Sequence, residues 1–184
     1  TSPKRFRVAP GMTPDAQNAL MDVGEANMGD PQTVVDFVNW VRTNYPADHY
    51  ALIFWNHGGG WLSDLQPRPE GVMPEDFCWD DTNGGDALTS ADLYQCLDSV
   101  TAGGAEPIDQ VGFDACLMAM WEVDNQIKPF GSMVSVASEE NEPWDGWPYD
   151  TILTDLKANS GWTPAELGYA IVERYYQSYG NDET

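Results

Sequence analysis

Apolar side chains recur along this chain in two alternating patterns, one with the spacing of a helix and one continuous. Residues 34–41 place valine and phenylalanine at helical spacing, and Asp30 and Pro31 stand where a helix cap and a first helical residue are favoured. Residues 50–55 form a continuous apolar run rich in aromatic side chains, which predicts a strand buried on both faces. The first half of the chain thus predicts a helix followed by a buried strand.

The same alternation continues towards the carboxyl terminus. A helix is predicted to open at Thr89 or Ser90, and the apolar runs 108–113 and 133–137 predict a second and a third buried strand. A capping box at Thr163 opens the last predicted helix. Helices that alternate with buried strands predict an α/β fold with a mostly parallel sheet covered on both faces.

Two segments show neither the helical spacing nor the apolar run of a buried strand. Residues 62–87 mix prolines, glycines and acids, and we expect a long exposed loop there. Residues 138–150, SEENEPWDGWPYD, form a second predicted loop that is rich in acids and aromatic side chains. Ligands of parallel sheets bind outside the carboxyl ends of the strands, so a functional site is expected at that edge.

Charge narrows the class of protein. Eight lysines and arginines stand against thirty aspartates and glutamates, which gives a formal net charge of -22. Such a chain repels nucleic acids and anionic membranes. Most of the acids are interpreted as a solvated surface, and a few as possible selectors of a basic substrate. No apolar run reaches the roughly 18 residues that cross a bilayer, and the first ten residues lack the apolar stretch of a signal peptide, so localisation stays open.

Cysteine and histidine provide the candidate chemistry. The three cysteines, Cys78, Cys96 and Cys116, cannot all pair, and their spacing fits no zinc site. Cys116 ends the second predicted strand and His57 the first, so both are expected at one edge of the sheet. A helix predicted from Leu117 would favour the Cys116 thiolate, and the histidine is suited to protonate a leaving amine. A packed structural cysteine is the alternative.

Neighbouring residues extend this hypothesis. Gly58 permits close approach of a substrate backbone, and the N–H groups of Gly58 and Cys116 are candidates for an oxyanion hole. His49 precedes its strand, so we expect it on the surface at the opposite edge. Cys78 and Cys96 lack a partner pattern and are interpreted as structural or incidental.

Three segments, HYALIFWNHGGGW, VGFDACLMAMWEV and VSVASEENEPWDGWPY, occur in this order and closely resemble the clostripain family of cysteine peptidases. Caspases, legumains and gingipains are distant relatives of that family. The resemblance covers residues 28–176, approximately, and we expect residues 1–184 to form a single domain of this kind. It implies a three-layer caspase-like sandwich, a His57 and Cys116 dyad with a thioester acyl-enzyme, and cleavage of peptides or proteins after Arg or Lys. It also favours a secreted or cell-envelope location.

A pocket for an arginine or lysine side chain needs a carboxylate to pair with it. Asp114 is the best candidate, because it lies two residues before Cys116 on the same side of the strand, where the family places its pocket acid. The alternative is that Asp114 accepts backbone hydrogen bonds at the strand end. Asp145 is a candidate for a second pocket wall, unless it is a solvated loop acid, and Ser138 is a further candidate contact.

Two regulatory features are also suggested. Arg68 is the only basic residue between His57 and Cys116, and family members are commonly cut in this region, so Arg68 is a candidate for self-processing. Pro69 argues against it, since an X-Pro bond is rigid. The run WDDTNGGDALTSAD suggests a calcium ligand set, but its spacing fails the EF-hand pattern. A calcium site of another kind stays open, calcium dependence is also implied by the family, and the chemistry itself needs no cofactor.

Two alternatives and one omission remain. The same fold could serve as a catalytically silent peptide- or calcium-binding module. A serine hydrolase is a weaker alternative, because this sequence contains no G-x-S-x-G motif. Family members usually carry a strand, a helix and a strand before the region aligned here, but residues 1–20 offer at most a short strand near residues 6–8. The sheet is thus expected to lack the family's first strands and to be completed by an upstream chain or segment.

Overall fold

The computed structural model describes residues 2–60, 76–131 and 134–180. In chain order, its strands are β1 (Lys4–Arg5), β2 (Met21–Asp22), β3 (Ala51–Trp55), β4 (Phe77–Asp80), β5 (Asp86–Leu88), β6 (Gln110–Asp114) and β7 (Val134–Val136). Its α-helices are α1 (Pro31–Asn44), α2 (Ser90–Val100), α3 (Trp121–Ile127), α4 (Tyr149–Ala158) and α5 (Pro164–Tyr179).

Strands β3, β6 and β7 form a parallel sheet with β6 in the middle. Every residue of β6 is buried, as predicted, whereas β3 is exposed at Ala51 and Trp55. The prediction that the first strand is buried on both faces is therefore wrong. Among the described residues no strand pairs with the outer edge of β3, which agrees with the expectation that the sheet lacks the family's first strands.

Helices cover both faces of this sheet, as predicted. On one face, α1, α2 and α3 pack over β3 and β6 with a large apolar core that includes Val38, Leu97 and Val123. On the other face, α4 and α5 bury Ile152 and Ile171 against β7. In the part of the chain that the structure describes, no helix is both long enough and apolar enough to cross a membrane.

Local capping explains why the predicted helices begin where they do. The Asp30 side chain accepts a hydrogen bond at the start of α1, and Thr89 and Thr163 form capping boxes at α2 and α5. Helix α4 is not predicted by the sequence pattern. It follows Pro148, which forms no side-chain cap, and its start therefore lacks a local sequence signal.

The predicted exposed loop over residues 62–87 is partly wrong. Strands β4 and β5 pair there antiparallel, and the Phe77 side chain is only 1% exposed. Phe77 packs edge-on against Phe54 and Phe113, with ring centroids 5.2 Å and 5.6 Å apart. Such aromatic pairs add to the free energy of burial, so a contact distant in sequence orders this segment. Near the amino terminus, the short strand is β1, paired with β2, and not the predicted residues 6–8.

Gly112 of β6 allows the sheet to pack closely against the loop before α4. A Cβ atom added at Gly112 would lie 2.6 Å from Ile53 Cδ1 and 2.9 Å from Trp147 Cη2. We expect Gly112→Ala to lower the free energy of unfolding by about 1–3 kcal/mol, because this packing leaves no room for a methyl group. Urea unfolding measures the change.

Gly161→Ala is the matched control, since a Cβ atom at Gly161 meets open space. Both variants lose the same backbone freedom in the unfolded chain, so their difference isolates the packing cost. Equal stability of the two variants would show that this contact does not constrain the fold.

Candidate active site

The register of β3 and β6 places the predicted dyad at one edge of the sheet. Trp55 and Asp114 are the last paired residues of the two strands, and His57 and Cys116 each lie two residues beyond them. Both side chains line a cavity of about 170 Å³, whose walls are formed by residues 55–57, 114–116, 142–144 and 146. The structure thus brings together the two residues that the sequence singles out.

The chain after Cys116 turns sharply and does not begin a helix. Leu117 has a φ of 60°, and its N–H donates to the carbonyl of Glu140 at 3.2 Å, while Ala119 N–H donates to the carbonyl of Ser138 at 2.9 Å. The predicted helix from Leu117 is wrong, because these bonds tie the segment to the loop over residues 138–148 and α3 starts only at Trp121. Within the part of the chain that the structure describes, no helix begins directly at the thiol.

The polar contact of the thiol comes from that loop instead. The backbone N–H of Glu142 donates to Cys116 Sγ at 3.3 Å. A backbone donor directed at sulfur stabilises the negatively charged thiolate, as the helix terminus was expected to do.

The backbone of His57 is held on both sides. Its N–H donates to Asn56 Oδ1 at 2.7 Å, and its carbonyl accepts from Cys78 N–H at 3.3 Å. The Cys78 thiol also donates to the carbonyl of Trp55 at 3.4 Å, so Cys78 fastens the end of β3. Of the two interpretations of Cys78, the structural one therefore holds, and the imidazole is positioned beside the exposed ring of Trp144, 6.1 Å between centroids.

Gly58 packs directly against Ala115 and Cys116. A Cβ atom at this position would collide with the carbonyl of Cys116 and would come within 3.0 Å of Ala115 Cβ. Among the described residues, neither Gly58 N–H nor Cys116 N–H donates a hydrogen bond. Both donors are therefore free to face a developing oxyanion.

Asp114 is a hydrogen-bond acceptor at the strand end, which is the alternative to the pocket role, and its side chain also faces the cavity. Its carboxylate accepts from the backbone N–H of Trp147 at 3.2 Å and from the hydroxyl of Tyr149 at 2.8 Å. The residue is 3% exposed, yet it lines the cavity beside Cys116. Gly146 permits this approach, because a Cβ atom there would lie 2.8 Å from Asp114 Oδ2. Asp114 therefore anchors the loop and presents negative charge to the cavity.

Glu142 is the site residue that sequence reasoning missed. Its Oε1 accepts from the indole N–H of Trp147 at 3.2 Å, whereas its buried Oε2 has no conventional partner among the described residues. Burial, and after it the adjacent carboxyl group of Asp114, raises the pKa of Glu142 to about 8. The only sequence signal was the density of acids in the loop, which the solvated-surface interpretation left unexamined.

Two predicted pocket contacts lie outside the cavity lining. The hydroxyl of Ser138 accepts from Glu140 N–H at 3.1 Å, so it stabilises the turn of the loop. Asp145 is exposed in the turn between Trp144 and Gly146. Neither side chain lines the cavity of the free protein.

The remaining candidates lie elsewhere. His49 is exposed at the opposite end of β3, as the sequence predicts. Its Nδ1 lies 2.9 Å from Asp109 Oδ1. Cys96 is a buried residue of α2. Arg68, the processing candidate, lies outside the described residues. Across residues 2–60, 76–131 and 134–180, no group of three or more histidine, cysteine or carboxylate side chains is arranged to hold a metal.

Comparisons with known proteins identify the family of this chain. A model of the clostripain family matches residues 16–184, a wider range than the motifs alone suggested. Clostripain of Hathewaya histolytica is 37% identical over 141 residues, which are 74% of this chain and 26% of that protein. The chain thus spans about a quarter of the length of this curated relative.

Solved structures show the same fold. A secreted cysteine protease of Bacteroides thetaiotaomicron, in complex with an irreversible peptide inhibitor, superimposes with a TM-score of 0.68 at 27% identity, covering 89% of this chain and 41% of that one. An inactive zymogen of a protease from Parabacteroides distasonis superimposes with a TM-score of 0.56 at 23% identity, covering 90% of this chain and 41% of that one. At this identity the likeness shows the fold alone. The predicted fold class is confirmed.

The three thiols differ in their surroundings, and their reactivity should differ accordingly. Burial raises the pKa of Cys78 and of Cys96 to about 12, so almost no thiolate of either exists at pH 8. We expect iodoacetamide at pH 8 to modify Cys116 at least about tenfold faster than the other two. Peptide mass spectrometry of timed samples measures the rates.

Protein unfolded in guanidinium chloride is the control, in which all three cysteines should react at similar rates. Modification of Cys78 or Cys96 as fast as Cys116 in the folded protein would contradict the assignment of Cys116 as the accessible nucleophile.

Proposed function

The chain belongs to the clostripain family, and on that premise we propose that it is a cysteine endopeptidase that cleaves peptide bonds after Arg or Lys. The observation that carries this proposal is one cavity that holds the Cys116 thiol, the His57 imidazole and the buried Asp114 carboxylate together. Each group has a part in the hydrolysis of a peptide bond after a cationic side chain.

Cys116 and His57 are proposed to carry the bond changes. The Cys116 thiolate attacks the carbonyl carbon of the peptide bond, and the oxyanion that forms accepts from the N–H groups of Gly58 and Cys116. His57 then gives a proton to the leaving amine, and the C–N bond breaks to leave a thioester on Cys116. His57 next takes a proton from water, the resulting hydroxide attacks the thioester, and the acid product leaves with the thiolate restored.

Asp114 is proposed to select the cationic side chain. Its carboxylate lies two residues before the nucleophile and faces the same cavity. An arginine side chain entering the cavity can meet it with two N–H donors, and a lysine side chain with one charge-assisted bond. The exposed ring of Trp144 offers a wall above this cleft, and the net charge of -22 favours the approach of basic substrates.

Further properties of the whole protein rest on the family. Secretion is supported by the similarity to the Bacteroides thetaiotaomicron protease, which is described as secreted. Among the described residues no strand pairs with the outer edge of β3, which supports the proposal that an upstream chain or segment completes the sheet. Calcium dependence and self-processing after Arg68 stay predictions from the resemblance.

Loss of either dyad residue should strongly lower the turnover of a fluorogenic peptide that ends in arginine. We expect Cys116→Ala to lower kcat/KM by about 10⁴-fold or more, since no other thiol faces the cavity, and His57→Ala to lower it by about 10²-fold to 10⁴-fold. Steady-state hydrolysis is measured in calcium-containing and in chelated buffer. His49→Ala is the matched control, because His49 lies at the opposite edge. No turnover by the wild-type chain in either buffer would instead favour a silent binding module.

Specificity tests the pocket assignment separately. We expect Asp114→Asn to lower kcat/KM for the arginine peptide by about 100-fold, the value of a charge-assisted bond of roughly 3 kcal/mol. Asp145→Asn removes the same charge from the exposed turn of the loop and should change kcat/KM less than about threefold. Kinetics with arginine, lysine and aspartate peptides provide the comparison, and preferred release from aspartate peptides would rule out Asp114 as the selecting acid.

A further inference from the structure

Two carboxyl groups face the cavity without a basic side chain from the described residues to pair with them. Asp114 lies at the end of β6 and Glu142 in the loop that crosses it, and both line the cavity beside Cys116. Among the described residues, no lysine or arginine forms an ion pair with either group, since the basic side chains that pair do so elsewhere. Burying two adjacent carboxylates without a cation is strongly unfavourable, so the pair must take up a positive charge.

Trp147 holds the two carboxyl groups close together. Its backbone N–H donates to Asp114 and its indole N–H donates to Glu142, so one residue fixes both. Asp114 Oδ2 also accepts from the hydroxyl of Tyr149, whereas Glu142 Oε2 is buried and has no hydrogen-bond donor among the described residues. A proton on one carboxyl group would provide the missing hydrogen bond to the other.

We propose that Glu142 is a second specificity-determining residue, which shares one proton with Asp114 in the free protein and loses it to solvent when a cationic substrate side chain enters. The inference rests on the proposed function, because it deepens the same site. The exchange conserves charge: one proton leaves the carboxyl pair, and one guanidinium or ammonium group takes its place. The empty cavity is thereby spared two uncompensated charges, and a neutral side chain cannot supply the cation.

The direction of the pH dependence follows. The raised pKa of Glu142, about 8, means that the pair is mostly protonated at pH 7 and fully ionised only above pH 8. Binding of a cation should therefore tighten about tenfold per pH unit below pH 8 and level off above it. A glutamine at position 142 removes the proton and with it this dependence.

Other titratable groups around the carboxyl pair do not account for a change in cation binding near pH 8. The groups that face it are His57 after β3, Cys116 after β6, Asp145 in the loop, Tyr149 at the start of α4, and Tyr175 and Tyr179 on α5. Burial raises the pKa of Tyr175 to about 12 and that of Tyr149 further, so both stay neutral near pH 8. The thiol is removed in the test below, and the histidine is present in every variant compared.

The test counts protons released when a peptide binds without being cleaved. Cys116→Ala protein is titrated at pH 7 with an acetylated Ala-Ala-Arg peptide amide by calorimetry, in buffers that differ in ionisation enthalpy. We expect about one proton to be released per peptide, and less than about 0.2 when Glu142→Gln is added to the same background. The citrulline peptide, neutral and of equal shape, should release none. Glu140→Gln, an exposed glutamate of the same loop, is the control variant and should keep the release.

A second measurement reports the shared proton without any peptide. In wild-type protein labelled with ¹³C at the glutamate carboxyl carbons, one resonance that disappears in Glu142→Gln should titrate near pH 8. Titration of that resonance in the ordinary range near pH 4 overturns the proposal.

The outcomes separate this inference from the proposed function. Peptide binding without proton release, or release that persists in Glu142→Gln, overturns the role of Glu142 and leaves peptidase activity standing. Absence of binding overturns the inference as well. Hydrolysis by the wild-type chain is measured in parallel, and only its absence overturns the proposed function.

Discussion

The parallel pairing of β3 with β6 is the constraint on which the candidate site depends. Because Trp55 lies opposite Asp114, residues equally far beyond that pair emerge side by side, and these residues are His57 and Cys116. A shift of one residue would move each side chain of one strand to the other face of the sheet. The buried contacts of Phe54 and Phe113, whose rings are 5.4 Å apart, oppose such a shift. Packing far from the chemistry therefore sets the geometry of the dyad.

The loop between β7 and α4 depends in turn on Asp114. Its backbone and side chains bond to this carboxylate through Trp147 and Tyr149, and its Glu142 N–H reaches the thiol. The same acid thus anchors the substrate loop and gives the cavity its charge. In the proposed peptidase, specificity and the position of the thiol are coupled by this arrangement, because a change at Asp114 also loosens the wall of the cavity.

Features that depend on short stretches of sequence could be predicted, and those that depend on distant contacts could not. Asp30, Thr89 and Thr163 signal helix starts through their own side chains, and the apolar runs around β3 and β6 identify the strands that carry His57 and Cys116. The turn after Cys116 and the burial of Phe77 and Glu142 arise from partners that lie 19 to 36 residues away along the chain. No local pattern encodes such contacts, so a helix was expected at Leu117 and Glu142 went unnoticed.

The most direct test of the account is a crystal structure of the chain after reaction with a peptide chloromethyl ketone that ends in arginine. The account predicts a covalent bond to Cys116 Sγ, with the guanidinium group against Asp114 and Glu142 and the imidazole of His57 beside the bonded carbon. A bond to another residue, or an arginine side chain directed into solvent away from the two carboxyl groups, would contradict it.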